Sequence, residues 1–135
     1  MQAVTALIEN DAGQILVLQD PANGLPFLPR VKLQATQGPL KVLRRWVNEE
    51  VGLEIAGWAE LSVLTKDKDQ FHGYRAYVSG GKPRNFPTKK ILSYSWVDPQ
   101  LAVRILEGVA TRKFLQDRYP YLFYSEEDAR YAQFS

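Results

Sequence analysis

The sequence predicts a single α/β (α+β) domain, and three observations predict it. A chain of 135 residues with 45% hydrophobic content is one domain's length and carries enough apolar side chain for a real core. Short, partly β-branched apolar runs stand on both sides of a strongly punctuated helix at 38–53. Two further helix signals follow another alternating run near the C-terminal end.

Taken in order, residues 3–9 and 14–19 are strand candidates, and Asn10-Asp11-Ala12-Gly13 between them is a turn sequence, so this part predicts a hairpin. Residues 20–26 are a Pro- and Gly-bearing loop that carries Phe27 and Leu28 towards the central helix. That helix has Gly38 as N-cap and Pro39 at its first position, where the missing N–H costs nothing. Gly52 suits a left-handed residue just past its end, and Leu53 can fold back on the last turn. Leu40, Leu43, Val47 and Val51 share one stripe, which predicts a core face. Val42, Trp46, Glu49 and Glu50 form an intermediate group in which two carboxylates flank an indole. Acids in a last turn oppose the helix dipole at about 0.3–1 kcal/mol each, so they are either a solvated edge paired with Arg44 or Arg45, or a site.

Residues 55–65 and 71–78 predict two strands joined by the charged turn Lys66-Asp67-Lys68-Asp69-Gln70. Between Ser79 and Lys90 lies a loop with four basic residues, no acid, and Phe86 in its middle. It is either a phosphate clamp with a stacking ring or a solvated connection. Ile91–Val97 alternates as a half-buried strand. Asp98-Pro99 caps a helix to about Glu107 with Gly108 as its stop, and a last helix runs from about Thr111 to before Pro120. The tail 121–135 holds five of the sixteen aromatics and a capping-box sequence at Ser125–Asp128, which predicts a short helix packed on the domain or on a second subunit.

The composition narrows function. With no cysteine there are no disulfides, thiol nucleophiles or Cys-based zinc sites. No apolar run approaches a membrane span, and no basic leader precedes the first strand, so a soluble, cytoplasmic protein is expected. A formal charge of +2 is too small to argue for nucleic acid by itself. There is no Walker loop, dinucleotide fingerprint or nucleophile elbow, and His72 is the single histidine. On a strand that also bears Tyr74, His72 reads either as a packed residue or as a contact to a base or phosphate.

Residues 45–53, Arg-Trp-Val-Asn-Glu-Glu-Val-Gly-Leu, resemble the second half of the Nudix box, Arg-Glu-U-x-Glu-Glu-x-Gly-U with U aliphatic, and six of nine positions agree. Arg45, Glu49, Glu50 and Gly52 alone would coincide by chance about once in a hundred thousand starting points. The resemblance implies an α/β/α sandwich with a mixed sheet over nearly the whole chain. It implies that Glu49 and Glu50 hold Mg²⁺ or Mn²⁺ as the catalytic and metal residues, and that Arg45, Gly52 and Gln37 are structural in the box. Leu28-Pro29-Arg30-Val31 stands where the family has a Leu-Pro-Gly-Gly loop, Gln37 replaces a glutamate, and Trp46 replaces a metal-binding glutamate.

Two functions follow from that resemblance. One is a binding module for a nucleoside diphosphate-type ligand held between the box helix and the sheet, with hydrolysis weak or lost. The other is an active Mg²⁺-dependent pyrophosphohydrolase in which Asp67, Asp69 or Glu60 supplies a missing ligand or base. In either, Arg30, Lys32, Trp46, His72, Tyr74 and Phe86 are the candidate substrate contacts. An RNA or protein partner and a homodimer are further expectations.

Overall fold

Strand β1 (Gln2–Glu9) sends alternate side chains into two apolar cores, and the molecule is arranged about that alternation. The computed structural model describes residues 1–123. Val4, Ala6 and Ile8 face the central helix, while Leu7 faces the C-terminal helices. Each such Val, Leu or Ile side chain taken fully out of water contributes roughly 1.5–3 kcal/mol. The result is the expected sandwich, a mixed seven-stranded sheet between two helical layers.

β6 (Asp69–Tyr77) pairs with β1 in parallel over its whole length, and β5 (Trp58–Lys66) completes that side as an antiparallel edge. The predicted opening hairpin is realised only at its turn. β2 (Ile15–Gln19) meets β1 in the single register pair Glu9↔Ile15. The rest of that edge of β1 is taken by β4 (Arg30–Leu33), which pairs with Gln2–Thr5. β2 instead lies between β3 (Pro26–Phe27) and β7 (Ser93–Val97). Of the four residues predicted as a loop, Arg30 and Val31 are therefore strand. The charged turn is also shorter than expected: Asp67, at φ 56, turns the chain, while Lys66 and Asp69 are already paired strand residues.

The central helix occupies 39–51 as predicted, but in two hydrogen-bonding modes. α1 (Pro39–Trp46) is regular, whereas Val47–Val51 form one π turn. The amides of Gly52 and Leu53 both donate to the carbonyl of Val47, at 3.0 and 3.4 Å. Gly52 has φ 82, the left-handed conformation expected of the closing residue. Val42, Leu43, Val47 and Val51 are buried against the sheet.

On the other face lie α2 (Pro99–Ile105), α3 (Val109–Arg118) and a 3₁₀ turn at Pro120–Phe123. Asp98 stands at the N-cap of α2, but its side chain makes no capping bond. Gly108, expected to stop α2, instead opens α3 at φ 110, because α2 has already ended at Ile105. Phe114 packs on Gly73, where a β-carbon would lie 2.5 Å from its ring. The capping-box helix expected at Ser125–Asp128 falls outside the described residues. Among the described residues no helix is long and apolar enough to cross a membrane.

Candidate functional site

The period-two geometry of β4 decides where the predicted basic groups go. Lys32 stands opposite Ala3, Val31 opposite Val4 and Arg30 opposite Thr5. Since Val4 belongs to the α1 core, Val31 packs there, and Arg30 and Lys32 share the face of Ala3 and Thr5. That face carries a cavity of about 710 Å³, bordered by Arg30, Lys32, Lys66, Asp67, Phe71 and the first turn of α3. Arg30 also borders a second cavity of about 350 Å³ beside Asp20, Asn23 and Glu107, and its guanidinium lies 5.7 Å from the centre of the Phe27 ring. It therefore stands between two hollows on the same side. Asp69, also on the larger wall, is paired with the N-terminal ammonium at 3.0 Å.

The carboxylates of the helix are elsewhere and do not converge. Glu49 borders a shallow groove of about 390 Å³ with Arg45 and Glu54. Glu50 is turned to the loop after β6, where its Oε1 accepts from Lys90 Nζ at 3.2 Å. That loop is fastened to the helix end by Arg84. Its amide donates to the carbonyl of Val51 at 2.8 Å, and its Nη1 donates to the carbonyl of Glu49 at 2.9 Å. Gly52 is needed here twice over, since beyond its φ a β-carbon would meet the Arg84 β-carbon at 2.8 Å and amide nitrogen at 2.9 Å. The basic loop thus meets the negative end of the helix, where cations are favourable and unpaired carbonyls need donors. Charge counting along the sequence does not reveal this partner; a run of cations opposite a helix C-terminus was the available signal.

The aromatic candidates form a third group. Trp46, Tyr74 and Phe86 are half-buried against the α1 core together with Phe27, Trp58 and Trp96. Phe86 packs edge-on to Tyr94 at 5.9 Å between ring centres. Burial, followed by the charge of Glu60 on the neighbouring strand, raises the Tyr74 phenol above its ordinary pKa. His72 stands opposite Val4 on the same face, and its Nε2 is buried with no hydrogen-bond partner among the described residues. Gln37 closes a turn with Gln34, accepting its amide at 2.8 Å, and makes no bond to Arg45 among the described residues.

The donor set can be compared with what a divalent ion needs. Mg²⁺ takes about six oxygens in near-octahedral geometry, with at least one or two carboxylates free to serve. Here Glu50 already meets an ammonium, an indole stands at position 46, and Asp67 and Asp69 border the cavity across the sheet from the helix. Among the described residues no three His, Asp or Glu side chains gather in a metal-binding group. These residues do not fit a catalytic metal centre.

The NUDIX domain family model matches residues 1–118. The structure is similar to the NUDIX domain of Shewanella oneidensis NrtR, complexed with ADP ribose, at TM-score 0.72 and 13% identity, covering 90% of this chain and 88% of that one. It is similar to an Ap4A hydrolase of C. elegans at TM-score 0.71 and 14% identity, covering 90% and 96%. The MutT protein of Methanosarcina mazei Go1 matches at TM-score 0.66 and 25% identity, covering 90% and 93%. No curated sequence matches the chain.

Proposed function

The chain belongs to the NUDIX domain family, and from that premise we propose that it binds a nucleoside diphosphate-type ligand in the 710 Å³ cavity, with hydrolysis weak or lost. The observation that carries this reading is the cavity itself. Its volume lies within the range of small-ligand pockets, about 300–1,000 Å³. It sets Arg30, Lys32 and Lys66 beside the ring of Phe71 and the apolar start of α3, a combination suited to phosphate oxygens at one end and a base at the other. Asp67, on the same wall, is an acceptor for ribose hydroxyls or base N–H groups.

The loss of hydrolysis rests on the box end of the helix. Removing a single well-placed charge-stabilising group commonly costs about 10²–10³ in rate, and this chain has Trp46 and Gln37 where the family has acids. Against it stands the exposed carboxylate of Glu49, the observation that favours an active hydrolase.

Thermal-shift titration with ADP, ADP-ribose and nucleoside triphosphates tests binding. Ligand at 100 times Kd should add about 2.7 kcal/mol of stability. Arg30→Gln and Lys32→Gln should each reduce that shift, and no shift for any nucleotide at millimolar concentration would overturn the binding reading. Release of phosphate or nucleoside monophosphate with Mg²⁺ or Mn²⁺ tests hydrolysis. Turnover in the native chain that Glu50→Gln abolishes would establish the active hydrolase instead.

A further inference from the structure

We propose that Lys90 is the resident cation of the box helix, filling at Glu50 the electrostatic role of a divalent ion. On the reading that the α3-side cavity takes a nucleoside diphosphate, that ligand then binds without any divalent ion.

Four observations carry this. The first is the ion pair itself, with Lys90 Nζ 3.2 Å from Glu50 Oε1, the lysine side chain 60% and the glutamate side chain 24% exposed. The second is that Lys90 is delivered by a fixed backbone rather than a loose one. Thr88 Oγ1 accepts from the amides of Lys90 and Ile91 at 3.3 and 3.1 Å, and the Thr88 amide donates to the Ile91 carbonyl at 2.8 Å. Ile91 is fully buried in the α1 core, and the Leu92 amide donates to the Gln19 carbonyl at 2.8 Å. The turn bearing the ammonium is thus held by core and sheet, and Arg84 fastens the far end of the same loop to Glu49 and Val51.

The third observation is Trp46, four residues before Glu50, whose half-buried ring packs on the core and offers no oxygen ligand. The fourth is that the cavity cations Arg30, Lys32 and Lys66 already provide counter-charge for a diphosphate on the other face of the sheet. A divalent ion at Glu50 would have to displace Lys90, recruit its remaining ligands from water, and sit apart from those groups. A positive charge that the chain itself supplies makes it unnecessary.

The test begins with the native chain alone and Mn²⁺ as the probe, free ion being read by its electron paramagnetic resonance signal. The expected result is no depletion of the free signal at sub-millimolar Mn²⁺. The double variant Trp46→Glu/Lys90→Gln, which returns an oxygen ligand and removes the ammonium, should deplete the signal, and Glu50→Gln added to it should reverse the gain. Sub-millimolar Mn²⁺ binding by the native chain that Glu50→Gln removes would overturn the proposal, and so would a double variant that folds yet gains no site. The ADP thermal shift is then compared in EDTA and in Mg²⁺. Equal shifts support metal-free binding, and a shift seen only with Mg²⁺ overturns it. If no nucleotide shifts the chain in either buffer, the ligand reading fails while the Mn²⁺ titration still decides the role of Lys90.

Discussion

Replacing Gly52 by alanine should be among the most damaging single-methyl additions in this chain, and the cost can be separated into parts. The left-handed φ of 82 imposes backbone strain on any L-residue, about 1–2 kcal/mol. The new β-carbon would also lie 2.8 and 2.9 Å from the β-carbon and amide nitrogen of Arg84. To relieve that overlap the Arg84 backbone must withdraw, weakening its bond to the Val51 carbonyl, a further loss of about 0.5–1.5 kcal/mol for the hydrogen bond alone. Displacing the packed loop adds about 1–3 kcal/mol in the manner of other overpacked sites. A total of about 2.5–6.5 kcal/mol corresponds to a fall in Tm of roughly 9–23 °C for a domain of 135 residues. Two internal controls isolate the parts. Gly13 has φ 74 with nothing within 4 Å, so Gly13→Ala carries the strain without the crowding and should cost about 1–2 kcal/mol. Gly38 has an ordinary φ of −73 and open space, so Gly38→Ala should cost less than about 1 kcal/mol. Urea and thermal unfolding of the three variants should rank them in that order. A Gly52→Ala variant no less stable than Gly13→Ala would refute the reasoning, because the Arg84 loop would then be free to move away.

Gly73→Ala should destabilise by about 1–3 kcal/mol, since its β-carbon would overlap the fully buried Phe114 ring at 2.5 Å; a circular-dichroism melt checks this. Lys90→Gln and Glu50→Gln should each cost at most about 1 kcal/mol, because the pair is partly exposed, and a double-mutant cycle should return a coupling below that figure which shrinks in high salt. Arg118 is held to Glu9 through two bonds, of 2.7 and 3.2 Å, so Arg118→Lys should lose the forked geometry and lower Tm measurably, unlike a change at exposed Arg44. Burial, then the nearby charge of Glu9, raises the Tyr119 phenol far above its ordinary value. The folded chain therefore keeps a proton that the unfolded chain releases above about pH 10, and stability should fall with rising pH there. Tyr119→Phe should flatten that alkaline slope in denaturant titrations.

Local punctuation carried most of what was legible in the chain. Pro39 and Gly52 mark the ends of the helix because one lacks an amide and the other tolerates a left-handed φ, and both are properties of single residues. The π turn at Val47–Val51 was not legible, and neither was the loop more than thirty residues away that donates to the Glu49 and Val51 carbonyls. The opening hairpin was read too long for a similar reason. Its turn is local, but β1 then exchanges β2 for β4 and β6, and parallel pairing with residues 70–77 leaves no mark on residues 2–9. Within the site, residue types were readable and their facing was not. Arg30 and Lys32 were read as substrate contacts from residue type and resemblance, and only the register of β4 against β1 shows which side of the sheet they occupy.

That register also constrains how the protein can change over time. Arg30, Val31 and Lys32 place a cavity wall and a core wall back to back, one residue apart on a single strand. Point substitutions at 30 and 32 can therefore retune the cavity's charge while the core is left alone. An inserted or deleted residue between Pro29 and Leu33 cannot, for it would turn two cations into the α1 core and Val31 out of it in one step. Specificity in this strand should drift by substitution and resist length change, so that chains of this lineage with altered ligands should still keep the spacing from Pro29 to Leu33.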